Sequence, residues 1–213
     1  MKLGTPNVFY DKRNIRLRAI ERAIAQYHFT SQELRKTIAD KIDEHTTLFL
    51  KGFGNEINLL SAFRELFFNS RELLDLLLAQ LNRATAEMPT QTSRQFLRFA
   101  KKMMQGEFDQ NSLKILEFLK TNFTYIFHIR KVRNEIKNNP ATIEFLFNTN
   151  HFEARFKARI SENEVDLVQY LDILNKEKAI KNMSYACTYI LDAIFPEMLD
   201  FWNTAFAVYD ESF

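Results

Sequence analysis

The sequence predicts an all-α protein, a helical bundle of five to six helices with one inserted β-hairpin at about residues 142–160. Three observations lead to this fold class. The 213 residues include only four glycines and four prolines, which leaves few turns for a β-sandwich or barrel. Apolar residues recur at helical spacing over most of the chain, and one segment alternates instead with a period of two.

Helical spacing predicts four helices in the first half of the chain, at about 11–27, 30–50, 55–87 and 94–105. The first is basic and amphipathic. Thr30 and Glu33 form a capping-box pattern at the start of the second. Pro89 interrupts the pattern after the third, and Gly106 is placed to end the fourth.

The segment Asn111–Asn138 predicts a long helix with an apolar arc of roughly 220°. Such a helix lies at the centre of a bundle, or is shared between a bundle and a partner subunit. Arg133 falls near the middle of the apolar arc, and Arg130 and Lys137 lie close beside it. The narrow polar side is predicted to comprise Lys120, His128, Lys131, Glu135 and Asn138.

After Pro140 the apolar residues alternate with polar ones, which predicts two strands joined by a turn at residues 148–151. Ser161 and Glu164 are placed to cap a short segment that runs through about residue 174. A final helix is predicted over 176–206, with a kink at Pro196.

The sequence lacks the residues that several classes of function require. The single cysteine, Cys187, cannot form an intrachain disulfide and is predicted to be a small buried residue in the final helix. No glycine-rich phosphate loop and no nucleophile triad is present. The histidines show no metal-ligand spacing, so we expect no metal and no cofactor: His28, His45, His128 and His151.

The charge balance gives no long-range attraction to nucleic acid, because the net charge is only +2. Any nucleic-acid site must therefore come from a local group of cations. The basic first helix is either a solvated face or a phosphate-binding face. The cations Arg155, Lys157 and Arg159 on the hairpin form cross-strand ion pairs or contact RNA. The chain shows no secretory or membrane-spanning segment, so we expect a cytoplasmic protein without a membrane partner.

The C-terminal end of the 111–138 helix reads FHIRKVRNEIKNNP, with the adjacent pair Arg133-Asn134. An arginine followed by a polar residue, near the end of a long helix in an α-helical bundle, resembles the motif of the HEPN superfamily. The segment SAFRELFFNSRELLDLLLAQLN from Ser61 and the last helix are similar to prokaryotic members of that superfamily. The resemblance covers roughly 55–206.

The resemblance implies a homodimer in which the two motif helices meet, here through the 111–138 helix, and form a metal-independent RNase site. It implies that Arg133 and Asn134 are the catalytic residues and that Arg130, Lys137 and Asn138 contact RNA. The family has a histidine four to six residues after the arginine, whereas this sequence has Asn138, Asn139 and Pro140 at positions 138–140. Asparagine does not exchange a proton near neutral pH.

The sequence therefore predicts a HEPN-like, dimeric RNA-directed protein with reduced or absent RNase activity, placed by the resemblance in a prokaryotic defence or toxin-type system. An antitoxin-like protein is a possible partner in that setting. The alternative is a helical dimerisation module that does not bind nucleic acid. We expect one continuous domain over 1–213, in which the N-terminal helices of residues 1–54 pack on a HEPN-like bundle of residues 55–213.

Overall fold

The computed structural model describes residues 6–41, 47–85, 93–107, 114–148, 150–168, 171 and 176–213. Within these ranges the chain forms eight α-helices and one four-stranded antiparallel sheet. The helices are α1 Pro6–Ile38, α2 Glu56–Thr85, α3 Ser93–Gln105, α4 Lys114–Thr121, α5 Phe123–Asn138, α6 Val165–Val168, α7 Lys176–Asn182 and α8 Leu191–Asp210. The strands are β1 Thr47–Phe49, β2 Glu144–Asn148, β3 His151–Arg159 and β4 Ser184–Ile190.

The predicted fold class is confirmed in its mostly helical character and in its β-hairpin. It is wrong about the number of elements, because the described residues contain more helices than five or six and a sheet of four strands instead of a lone hairpin. The two additional strands, β1 and β4, lie in segments for which helices were predicted.

Helix α1 is one continuous helix, so the predicted break at Thr30 is wrong. Thr30 is only 3% exposed and lies inside the helix. The hydroxyl of Ser31 donates to the carbonyl of His28 at 2.9 Å, a local bond that Ser forms without ending a helix. The helix ends before a 3₁₀ turn at Ala39–Lys41, and β1 replaces the predicted end of the second helix.

Helices α2 and α3 agree with their predicted extents. At the end of α3, Gly106 has a φ of +69°, a backbone conformation that costs glycine little. The amide of Gly106 donates to the carbonyl of Met103, and the amide of Glu107 donates to that of Lys102. These bonds satisfy carbonyls at the helix end. The predicted break at Pro89 lies outside the described residues.

The predicted 111–138 helix is interrupted at Asn122, which separates α4 from α5. The Asn122 side-chain amide donates to the carbonyl of Phe118 at 2.9 Å. The prediction is correct about the end of the segment at Asn138. Residues 111–113 lie outside the described residues.

The hairpin of β2 and β3 has the predicted turn, with Asn148 opposite His151. The capping box of Ser161 and Glu164 is also present, at the 3₁₀ turn that precedes α6. The predicted final helix is confirmed over α7 and α8 and is wrong over Ser184–Ile190, where β4 separates the two helices. Met183, with a φ of +50°, lies at the turn between α7 and β4. Pro196 lies inside α8.

The sheet has the order β1-β2-β3-β4, and every neighbouring pair is antiparallel. One face, which we call the inner face, packs on the helices and carries the aromatic side chains of β2, β3 and β4. Phe63 of α2 lies at its centre, with ring centroids 6.0 Å from Phe145, 6.5 Å from Phe156 and 6.1 Å from Tyr189. Phe67, one turn later, lies 5.7 Å from Tyr189.

Helix α1 packs along α2 and contacts α8 and the hairpin. The Tyr27 ring stacks on Phe195 at 4.5 Å, and its hydroxyl donates to Asp192 at 2.7 Å. Arg35 pairs with the same carboxylate at 3.2 Å and donates to the carbonyl of Asn150 in the hairpin turn at 2.9 Å. The buried apolar residues from α1 to α8 form one contiguous cluster.

Phe63→Ala is expected to destabilise the protein by about 3–5 kcal/mol, since it leaves a cavity where α2 meets three strands. The free energy of unfolding in urea measures this loss. Phe29→Ala is the matched control, because Phe29 is 69% exposed, and it should change stability by no more than about 0.5 kcal/mol. Equal losses in the two variants would contradict the central role of Phe63.

Candidate nucleic-acid interface

Arg133 lies where the C-terminal half of α5 packs against α2. Its side chain is half-buried, and the guanidinium carbon lies 4.9 Å from the centre of the Phe68 ring on α2. Its Nη1 atom donates to Oδ1 of Asn134 at 3.3 Å. The structure therefore brings together the two residues of the predicted motif and adds an aromatic ring that supports the arginine.

A second arginine contacts the same ring. The guanidinium carbon of Arg64 lies 5.1 Å from the centre of the Phe68 ring. We call Arg64, Phe68, Arg133 and Asn134 the arginine–phenylalanine surface. Within the described part of the chain, neither Arg64 nor Arg133 forms an ion pair with a carboxylate.

Arg130, one turn before Arg133, is in the interior and is only 8% exposed. Its guanidinium lies 3.9 Å from the centre of the Phe96 ring of α3. Burial, together with the positive charge of Arg71, lowers the pKa of Arg130 to about 9, although Asp75 and other acidic groups favour the charged form. Arg130 remains charged at neutral pH, but RNA could reach it only after a change in packing.

Lys137 and Asn138 are exposed at the end of α5. Asn138 and Asn134 line one shallow concavity of about 440 Å³, beside Lys131 and Arg159. The Lys131 ammonium is paired with Glu164 at 2.6 Å, and both side chains are largely buried. The positive charge of Lys131 is thus neutralised within the chain.

The predicted polar side of the 111–138 segment is wrong at His128 and Glu135. The Glu135 side chain is buried and accepts hydrogen bonds from the Asn139 side chain at 3.0 Å and the Arg159 amide at 3.3 Å. His128 faces the sheet, with Nδ1 3.1 Å from the Tyr185 hydroxyl and 3.4 Å from the Tyr189 hydroxyl. Burial lowers the pKa of His128 to about 4.

The position of His128 decides what chemistry the motif residues can perform. His128 faces the inner face of the sheet, whereas Arg133 faces α2, so the imidazole is not beside the arginine. The residues that follow Arg133 supply amide groups at positions 138 and 139. These groups donate and accept hydrogen bonds but do not transfer protons near neutral pH.

Three of the other cationic candidates are engaged within the chain. On α1, Arg13 pairs with Asp210 at 2.9 Å and Arg16 donates to Asn69 at 3.1 Å. On the hairpin, Arg155 pairs with Glu153 at 2.6 Å, and this neighbour lies on the same strand. The cross-strand ion pairing expected for the hairpin is absent from the described contacts: Glu144 lies opposite Arg155, but the two side chains form no ion pair.

The Glu153 side chain is buried and is hydrogen-bonded to neighbouring side chains of the hairpin. Burial would raise the pKa of its carboxyl, but hydrogen bonds from Asn148, His151 and Arg155 outweigh burial and lower it.

Cys187 is buried as predicted, but on β4 and not on a helix, and burial raises the pKa of its thiol to about 12. That thiol is not a nucleophile at neutral pH.

Among the described residues, no three histidine, cysteine, aspartate or glutamate side chains converge as metal ligands. His28 is exposed, and His151 is bound to Glu153. His45 lies outside the described residues. No helix in the described ranges has the length and apolar character that crossing a membrane requires.

No family model, curated protein or solved structure matches this chain. The HEPN resemblance therefore remains an interpretation of the motif residues.

Sequence reasoning missed Arg64 and Phe68. Their spacing of four residues places them on one face of α2, a signal that the sequence contains. The sequence does not show that this face of α2 lies beside Arg133 of α5.

His128 is expected to make stability depend on pH. Its folded-state pKa of about 4 lies below the ordinary value of 6.5, so the unfolded chain binds the proton first as the pH falls. The stability is fully present above pH 6.5 and is lost progressively down to about pH 4. Between pH 7 and pH 5 the loss should be roughly 2 kcal/mol.

Urea unfolding of the wild type and of His128→Gln at both pH values measures this contribution. The variant lacks the titrating group, so its free energy of unfolding should fall by less between pH 7 and pH 5. Identical pH dependence in the two proteins would show that His128 is not buried in its neutral form.

Proposed function

We propose that this chain is a HEPN-like RNA-binding protein that holds RNA at the arginine–phenylalanine surface and has reduced or absent RNase activity. The observation that carries the proposal is the pair of arginines that contact the Phe68 ring, with Asn134 hydrogen-bonded to Arg133 and no carboxylate paired to either arginine in the described contacts. The HEPN resemblance is independent support from the sequence.

The chemistry of the surface suits a phosphate backbone. Guanidinium groups bind phosphate oxygens with two parallel hydrogen bonds, and contact with an aromatic ring limits the side-chain entropy that binding would otherwise cost. Arg64 and Arg133 contact the Phe68 ring from two neighbouring helices. The exposed Lys137 and Asn138 lie farther along α5, where they extend the surface toward the helix end.

The same site favours binding over cleavage. Metal-independent RNA hydrolysis requires a group that removes a proton from the 2′-hydroxyl and one that protonates the leaving oxygen. Arg133 and Asn134 stabilise and orient a phosphate but do not exchange protons at neutral pH. His128 is buried against two tyrosines and faces the sheet.

We also propose a homodimer, in which the polar end of α5 meets its counterpart. The apolar side chains of α5 are already buried within one chain, and the exposed residues of this helix are Asn134, Lys137 and Asn138. A dimer formed here would bring two copies of Arg133 and Asn134 toward one bound RNA. Its contacts would be polar, so we expect RNA to stabilise it.

Gel shift and cleavage of a labelled mixed-sequence RNA, in buffer with EDTA, test the proposal. The double variant Arg64→Ala/Arg133→Ala should bind at least about tenfold more weakly, because each lost charge-assisted contact is worth about 1.5–3 kcal/mol. Arg18→Ala, an exposed arginine on α1, is the matched control and should bind as the wild type does. Every protein in the set should cleave the RNA weakly or not at all.

Circular dichroism and thermal unfolding of the double variant verify that its fold is intact. RNA binding that is absent in the wild type would overturn the proposal and favour the interaction module. Efficient cleavage that depends on Arg133 would instead establish an active RNase that uses a proton-transfer group other than the family's histidine.

A further inference from the structure

Strand β4 leaves one edge of the sheet without a partner in the described ranges. The amide of Ile160 donates to the carbonyl of Met183 across the β3–β4 ladder, so the hydrogen-bonded pairs on β4 are those of Tyr185, Cys187 and Tyr189. The main-chain groups of Ala186 and Thr188 therefore face away from β3. They have no hydrogen-bond partner among the described residues.

This edge lacks the features that usually protect an edge strand. Proteins cover such edges, or place a charge, a proline or a bulge on them. The seven residues SYACTYI of β4 contain no charged residue and no proline. Its pairing with β3 continues without a bulge over 184–190. The edge is therefore a suitable template for an added strand.

The outer face beside this edge is cationic. Arg155, Lys157 and Arg159 alternate along β3, and their neighbours on β4 are the small residues Thr188, Ala186 and Ser184. These six residues line a concavity of about 550 Å³. Because the β4 side chains are short, the long cationic side chains can reach over one strand spacing of about 4.8 Å toward the open edge.

Two of these cations lack a carboxylate partner in the part of the chain that the structure describes. Arg155 is paired with Glu153, but Lys157 and Arg159 are exposed and have no ion pair among the described residues. Two acidic groups also line the concavity. Glu135 is held by Asn139 and the Arg159 amide, and Glu144 lies on β2, so that β3 separates it from the open edge.

We propose that β4 binds an extended acidic peptide as a fifth strand, with main-chain hydrogen bonds to Ala186 and Thr188. Alternate carboxylates of the peptide face Lys157 and Arg159. Strand addition of this kind takes affinity from the main chain and specificity from alternate side chains. The site shares no residue with the arginine–phenylalanine surface and does not depend on RNA binding.

Fluorescence anisotropy tests the site with a labelled eight-residue peptide in which glutamate and valine alternate. A peptide with lysine in place of glutamate is the control probe. The wild type should bind the glutamate peptide at least about tenfold more tightly, a difference of about 1.4 kcal/mol. Absence of binding, or equal affinity for the two peptides, would overturn the proposal.

Thr188→Pro tests the main-chain contact. The Thr188 amide faces the open edge, so proline there removes no hydrogen bond to β3 but prevents pairing with an added strand. Its affinity for the glutamate peptide should fall at least about tenfold, whereas Thr188→Val, which keeps the amide, should bind as the wild type does. Unchanged binding by Thr188→Pro would overturn strand addition.

Two glutamate peptides, each N-methylated at one of the two alternate sets of amides, provide a second test with the unaltered protein. The peptide that is methylated at the amides facing β4 should also bind at least about tenfold more weakly, which separates edge pairing from any misfolding of Thr188→Pro. Wild-type affinity for one of the two alternate methylation patterns is expected, because only one set of amides faces β4. Wild-type affinity for both patterns would overturn the proposal.

Charge reversal tests the acidic specificity. Lys157→Glu/Arg159→Glu should prefer the lysine peptide, whereas Lys12→Glu/Arg18→Glu, which carries the same charge change on exposed residues of α1, should retain the wild-type preference. Two further results would assign the edge to another occupant and overturn the proposal. One is a dimer that Thr188→Pro dissociates; the other is RNA binding that requires Lys157 and Arg159 but not the Thr188 amide.

Discussion

The packing of Phe63 against the inner face of the sheet is the constraint on which the remaining structure depends. This ring contacts aromatic residues of β2, β3 and β4 and thereby fixes the rotation of α2 about its axis. Arg64 and Phe68 each follow a sheet-facing phenylalanine by one residue, or about 100° around the helix. The contact that holds the sheet on α2 thus also turns these two side chains toward α5.

The two sides of helix α5 lie in different environments, although the residues that face each side are interleaved along the sequence. The side that faces the sheet places His128 between tyrosines and keeps it neutral. The side that faces α2 carries Arg130 in the interior and Arg133 at the surface, each against an aromatic ring. The two arginines and the imidazole of His128 are therefore held on different sides of one helix.

The inner face of the sheet is buried against the helices, whereas the edge at β4 has no partner strand among the described residues. On β4, Tyr185 and Cys187 are buried on the inner face, while Ala186 and Thr188 are exposed on the outer face. Small outer residues leave the β3 cations accessible, and the absence of charge on β4 leaves its main chain unprotected. The arginine–phenylalanine surface and this edge use different chemistry, because one presents guanidinium groups on helices and the other presents main-chain amides.

The amino-acid sequence is enough to predict the helices whose apolar spacing is regular, the hairpin, the Ser161 capping box and the run of cations near Arg133. It does not predict β1 or β4, because a short apolar segment such as SYACTYI fits the spacing of a helix or of a strand, and only pairing with β3 selects the strand. Packing between elements also buries His128 and Arg130 and places Arg64 beside Arg133. These outcomes depend on which helices become neighbours, and the spacing within one helix carries no information about its neighbour.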